Sequence, residues 1–166
     1  PVKVTENKVP LPLIGVLING LFGYRIKERA HLVAVPAAGL SCLVAFIVFF
    51  QSMGSEPFDW DVYSWVKVGD LDVPIGFLID PLSTVMMLVV TFVGFLIHIY
   101  SIGYMHGDRG YARFFTYLNL FMFSMLILVL ANNYLLMFLG WEGVGLCSYL
   151  LIGFWYEKKS ACDAGK

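Results

Sequence analysis

Along the 166 residues, long uncharged apolar runs alternate with short polar stretches. A bilayer core about 30 Å thick takes roughly 20 apolar residues as a helix. Five segments meet or approach that length: 9–23, 31–53, 79–102, 114–131 and 133–155. The first is short and opens with Pro10 and Pro12, where proline is tolerated. The third opens with Asp80-Pro81, an N-cap acid followed by a proline at the first helical position. Only Asn132 and Asn133 separate the last two segments, which predicts a tight antiparallel pair of helices.

Between the second and third segments the pattern changes. Trp60–Val68 is rich in β-branched and aromatic residues and partly alternates, Gly69-Asp70 offers a turn, and Val73–Phe77 can return. Pro74 confines the return strand to an edge. A small external β-hairpin is expected; the other reading is an aromatic-rich loop resting on lipid headgroups. The chain thus divides into two N-terminal helices (1–53), an external loop with a hairpin (54–78) and the start of a helical bundle (79–166). The expected fold class is an all-α integral membrane protein, with five transmembrane helices of a larger bundle and a small external β-hairpin.

Composition agrees. With 59% hydrophobic and 14% charged residues, and a mean hydropathy of +0.77, the chain lies well outside the soluble globular range. A net charge of -1 gives no electrostatic footprint for nucleic acid, and the apolar excess excludes disorder. Cys42, Cys147 and Cys162 are odd in number, with no CxxC and no histidine cluster, so neither a disulfide framework nor a zinc site is expected. No nucleotide, haem, iron–sulfur or catalytic-triad motif is visible, and the uncharged fourth segment reads only as packing surface. Lys3–Lys8 leads into an apolar run without a signal-peptide cleavage pattern, and Lys158–Lys166 is polar. The chain reads as the front part of something longer.

Orientation follows from basic residues in short connections. Eight of the eleven lie on one side of the five-segment alternation (Arg25, Lys27, Arg29, Arg109, Arg113, Lys158, Lys159, Lys166). Lys3, Lys8 and Lys67 lie on the other, with the acidic loop containing Glu56, Asp59, Asp61, Asp70 and Asp72. The N-terminus is therefore expected outside. Tyr100, Tyr104, Tyr111, Trp155 and Tyr156 read as an inner interfacial belt, and Arg109 and Arg113 as lipid-phosphate anchors or topology signals.

Glu142 stands out as an ionisable group deep inside a span. Nine residues past Asn133, it lies about 14 Å in, near the bilayer midplane. A carboxylate there costs at least about 2.5 kcal/mol, so such residues mark ion paths or buried pairs. Gly140, Gly143 and Gly145 allow close helix packing or water entry, and Phe138, Gly145 and Tyr149 share its helical face. No lysine or arginine lies at membrane depth, so an ionised Glu142 needs a counter-ion from elsewhere; a protonated, purely structural glutamate is the other reading. His98 lies about 25 Å past Pro81 and some 11 Å deeper than Glu142, which makes it an interfacial histidine first and an inward relay second. Asp80 reads as a helix cap, with proton exit as its second reading.

The run Gly140-Trp-Glu-Gly-Val-Gly-Leu-Cys-Ser-Tyr-Leu-Leu-Ile-Gly-Phe-Trp155 resembles the signature of the large antiporter-like subunits of respiratory complex I, the subunit L (chain 5) family of NADH-quinone oxidoreductase. Ile79–Ser83, Gly94–Tyr100, Gly110–Phe115 and the tail Ser160–Lys166 are similar to the same family in the same order. The resemblance implies a bundle of more than a dozen helices with an external hairpin, conducting protons in response to quinone reduction elsewhere. It implies that Glu142 pairs with a lysine on a later, broken helix; Tyr149, His98 and Asp80 remain further proton-pathway candidates from their own positions in the sequence. It places NADH, FMN, iron–sulfur clusters and quinone in partner subunits, with no cofactor and no catalytic redox site in this chain. Other membrane subunits of the complex and the lipid bilayer are the implied partners, and a bacterial cytoplasmic (inner) membrane the implied location. The alternatives are a subunit of a multisubunit Na+/H+ antiporter or membrane-bound hydrogenase, or a passive membrane scaffold.

Overall fold

A computed structural model describes residues 29–69 and 71–165. The apolar segment at 9–23 lies outside the described residues. The described elements are α1 (His31–Ser52), β1 (Phe58–Val68), β2 (Leu71–Ile79), α2 (Pro81–Tyr104), α3 (Tyr111–Leu130), α4 (Tyr134–Ile152) and the short α5 (Lys159–Ala164). Helices α1 to α4 are each long and apolar enough to cross a membrane. The fold is helical and membrane-spanning with a two-stranded antiparallel sheet, as the hydrophobic pattern indicates.

Local chemistry sets the boundaries. Helix α2 starts at Pro81, because Ile79 still pairs with Phe58 and Asp80 caps the helix. The Ser83 N–H donates to Asp80 Oδ1 at 2.6 Å, and the Asp80 N–H donates to Ser83 Oγ at 2.9 Å, a reciprocal capping box. Asn133 caps α4 by accepting from the Leu136 N–H at 2.9 Å. That helix ends at Ile152, three residues short of the expected Trp155, with Gly153 as its cap.

The helices pack as a meander, α1 on α2, α2 on α3 and α3 on α4. At the end away from the hairpin, Ala30, Ala34, Met105, Tyr111, Phe115 and Phe154 form an apolar cluster. Tyr111 therefore does not belong to an interfacial belt. It is 5% exposed, and its hydroxyl lies 3.0 Å from His31 Nδ1. Tyr100, Tyr104, Trp155 and Tyr156 are exposed, as belt residues are, with the Tyr100 and Tyr104 rings stacked at 5.7 Å.

Strands β1 and β2 pair from Phe58↔Ile79 to Val68↔Leu71, with irregularities between Asp61 and Tyr63 and between Ser64 and Val66. Gly69 takes φ +59°, a conformation open to glycine at little cost. The link between α3 and α4 grips this sheet. The Asn132 side-chain amide donates to Asp59 Oδ1 and Asp61 Oδ1, both at 2.7 Å, and its backbone N–H donates to Gly76 O at 3.2 Å. Asn133 Nδ2 donates to Pro74 O at 2.8 Å.

Candidate functional site

Helix α4 has two unlike faces. Gly140 and Gly143 turn toward α3, so close that a Cβ on either would lie 2.6 Å from Leu128 N or Ser124 Oγ respectively. Missing side chains let the two backbones approach. Glu142 points away from that contact and is exposed, in the company of Phe138, Trp141, Leu146 and Tyr149. A Cβ on Gly145 would meet nothing within 4 Å. Glu142 lies eight residues past Tyr134 in a 19-residue helix, about 12 Å from its start. Among the described residues no hydrogen bond or ion pair to it is found.

Tyr149 stands two turns further along the same face. It lines a cleft of about 270 Å³ with Arg113, Tyr117, Gly153, Phe154 and Tyr156. Arg113 does not simply reach for lipid: its guanidinium lies 4.9 Å from the centre of the Phe154 ring and 5.4 Å from that of Tyr156. Nearby, the Trp155 indole N–H donates to Asp108 Oδ2 at 2.9 Å, and the Gly110 N–H to Asp108 Oδ1 at 2.6 Å. These donors hold the Asp108 carboxyl below the usual aspartate range.

His98 is enclosed between helices. It is 1% exposed, its ring packed 6.1 Å from that of Phe115 between α2 and α3. The reading from depth along one helix missed this because burial depends on which face the neighbouring helix covers. Asp80, at the hairpin end of α2, acts as the cap already described. The Ser83 backbone N–H stabilises its charged form and lowers its pKa. Glu142 and Tyr149 thus share one face, while His98 and Asp80 occupy two other places, and no hydrogen bond among the described residues joins the three.

Sequence reasoning overlooked Asn119. It is 0% exposed within α3, the helix read as mere packing surface. A lone amide in the run Phe-Phe-Thr-Tyr-Leu-Asn-Leu-Phe-Met-Phe was the available signal.

Residues 65–115 match the family described as NADH-Ubiquinone oxidoreductase (complex I), chain 5 N-terminus, and residues 131–166 the family NADH:quinone oxidoreductase/Mrp antiporter, TM. The NADH-quinone oxidoreductase subunit L of Escherichia coli K12 is 51% identical over 160 residues, which cover 94% of this chain and 26% of that protein. The chain belongs to the subunit L (chain 5) family of NADH-quinone oxidoreductase membrane subunits. Family relatives of the same name from Neisseria meningitidis serogroup A and Mycobacterium tuberculosis H37Rv are 47% and 46% identical, over 93% and 95% of this chain. The chain spans about a quarter of the length of these subunit L relatives. The family fold extends further. A solved chain of the membrane-bound sulfane sulfur reductase, an archaeal respiratory membrane complex, superposes with a TM-score of 0.66 at 18% identity, covering 88% of this chain and 23% of that one.

Proposed function

We propose that this chain is part of a proton-translocating, antiporter-like subunit of an NADH-quinone oxidoreductase in a bacterial inner membrane. Glu142 is the central proton-pathway residue. Its position supports the reading: a carboxyl in the middle of an apolar helix, on the face that α3 leaves open. Such a group demands a charge partner or a hydrated path, and the partner is a lysine outside the described residues. Coupling is electrostatic, because two charges close together at low dielectric shift each other's proton affinity strongly. Tyr149, on the same face, extends the path toward the Arg113 cleft. NADH oxidation, with its flavin and iron–sulfur chemistry, and quinone reduction reside in partner subunits.

The test compares the full-length parent subunit with its Glu142→Gln form in inverted membrane vesicles, reading proton uptake per NADH-quinone turnover. Uptake per turnover should fall while the complex stays assembled, and Glu142→Asp should keep part of it. Normal uptake in Glu142→Gln would leave the residue as a structural acid. A passive scaffold would tolerate Glu142→Leu equally well.

A further inference from the structure

Helix α2 buries a polar stripe. Thr84, Thr91 and His98 recur every seven residues on one face, with Ser101 beside them, each 2% exposed or less. Three of the four are self-sufficient: the Thr84, Thr91 and Ser101 hydroxyls donate to the carbonyls of Asp80, Met87 and Ile97. His98 is not. Its Nδ1 lies 2.7 Å from Gly94 O. A carbonyl only accepts, so Nδ1 carries the proton and Nε2 of the neutral ring is an acceptor. That Nε2 is buried and has no partner among the described residues.

Across the interface, Asn119 repeats the situation. Its Nδ2 donates to Phe115 O at 3.0 Å, which fixes the orientation of the amide, since flipping it would set two oxygens against each other. Its Oδ1 is then a second buried acceptor without a donor. The packing sets the two residues along one stretch of the interface. The Phe115 ring lies against His98, and the Met122 side chain fills the space beside Gly94. Asn119 stands between Phe115 and Met122 on α3, and the bond to Gly94 draws the His98 ring back along α2 toward that level.

Two buried acceptors cannot satisfy each other, and each left alone has lost its hydrogen bond to water without a replacement. One water molecule carries two O–H donors and serves both. We infer that His98 Nε2 and Asn119 Oδ1 bind one water molecule inside the α2–α3 interface. The site gives a histidine within the bundle a water partner for proton exchange. It lies on different helices from Glu142 and stands whether or not that residue carries protons.

A density map of the intact complex holding the full chain, fine enough to show ordered water, tests this directly. A water peak within about 3.2 Å of both atoms is expected. Nε2 in direct hydrogen-bond contact with Asn119 Oδ1, the mark of a cationic ring, would overturn the proposal. So would another side chain placed between them. A double-variant cycle gives the second measurement. His98→Leu and Asn119→Leu should each lower the thermal inactivation midpoint, and the double variant should lose less than the sum of the two. Strictly additive losses would also count against a shared water. The map needs no variant, so it decides the matter even where a leucine variant fails to accumulate.

Discussion

Gly140 lies so close to Leu128 that a Cβ at this position would fall 2.6 Å from the Leu128 backbone nitrogen. Backbone atoms cannot swing aside as a side chain can, so the glycine sets how near α4 approaches α3. That approach in turn fixes which face of α4 is covered and which presents Glu142.

Gly140→Ala should therefore push the two helices apart at a cost of about 1–3 kcal/mol. Lower subunit abundance in membranes and a lower inactivation midpoint in detergent would show it. Gly103→Ala is the control. A Cβ there meets nothing within 4 Å, so the substitution should be neutral or gain up to about 1 kcal/mol of helix propensity.

The grip of Asn132 on Asp59 and Asp61 makes a second prediction. Asn132→Asp replaces the donating amide with a third carboxylate facing two others, so repulsion takes the place of two hydrogen bonds. The hairpin should come loose from the α3–α4 link and be cut markedly faster by protease in vesicles that expose it. Cleavage at the parental rate would mean that the backbone bond from Asn132 to Gly76 and the Asn133 bond to Pro74 hold the sheet without the Asn132 side chain.

Asp80→Ala removes the cap of α2 and should cost about 1 kcal/mol, whereas Asp80→Asn should cost much less because its oxygen still accepts. The folded-state pKa of Asp80 is depressed by the Ser83 N–H. Its contribution is thus fully present above the unfolded value near pH 4 and is lost as pH falls through the lower folded value. Inactivation midpoints measured from about pH 6 downward should show the Asp80→Ala penalty shrinking in acid. Proton uptake by Asp80→Asn separates the two roles of this residue: a cap alone leaves uptake unchanged, and a proton exit lowers it.

At the opposite end, Phe154 is 4% exposed and packs edge-on against Phe114 at 5.2 Å beneath the Arg113 guanidinium. Phe154→Ala should cost about 3–5 kcal/mol. Arg113→Lys should cost only about 0.5–1 kcal/mol, since a lysine keeps the charge and loses the stacked plane. Inactivation midpoints of the two variants should fall in that order.

Much of the fold was readable along the chain because each signal was local. Asp80-Pro81 marks a helix start through a cap that reaches only three residues ahead. Gly69 marks a turn because few other residues adopt its φ readily. Length and hydropathy identify the spans, since a bilayer demands both from each helix independently. The place of Glu142 in mid-helix follows from counting residues.

What counting cannot supply is which side of a helix meets another. Tyr111 looked like a belt residue and is core; His98 was read by depth alone and is buried between helices; Asn119 drew no notice and is fully enclosed. These outcomes depend on residues far away in sequence. His31 lies beside Tyr111, Phe115 covers His98, and Leu128 sits against Gly140. An apolar helix in a membrane carries little amphipathic pattern to announce its inner face, because lipid and protein interior are similarly apolar. The sequence by itself determined the membrane class, the four described spans, the hairpin and the mid-helix place of Glu142. Only the tertiary structure decided that α4 turns Glu142 away from α3 and that α2 and α3 enclose a histidine and an asparagine. Close backbone contact at glycines chooses the packed face, and the polar groups go where that choice carries them.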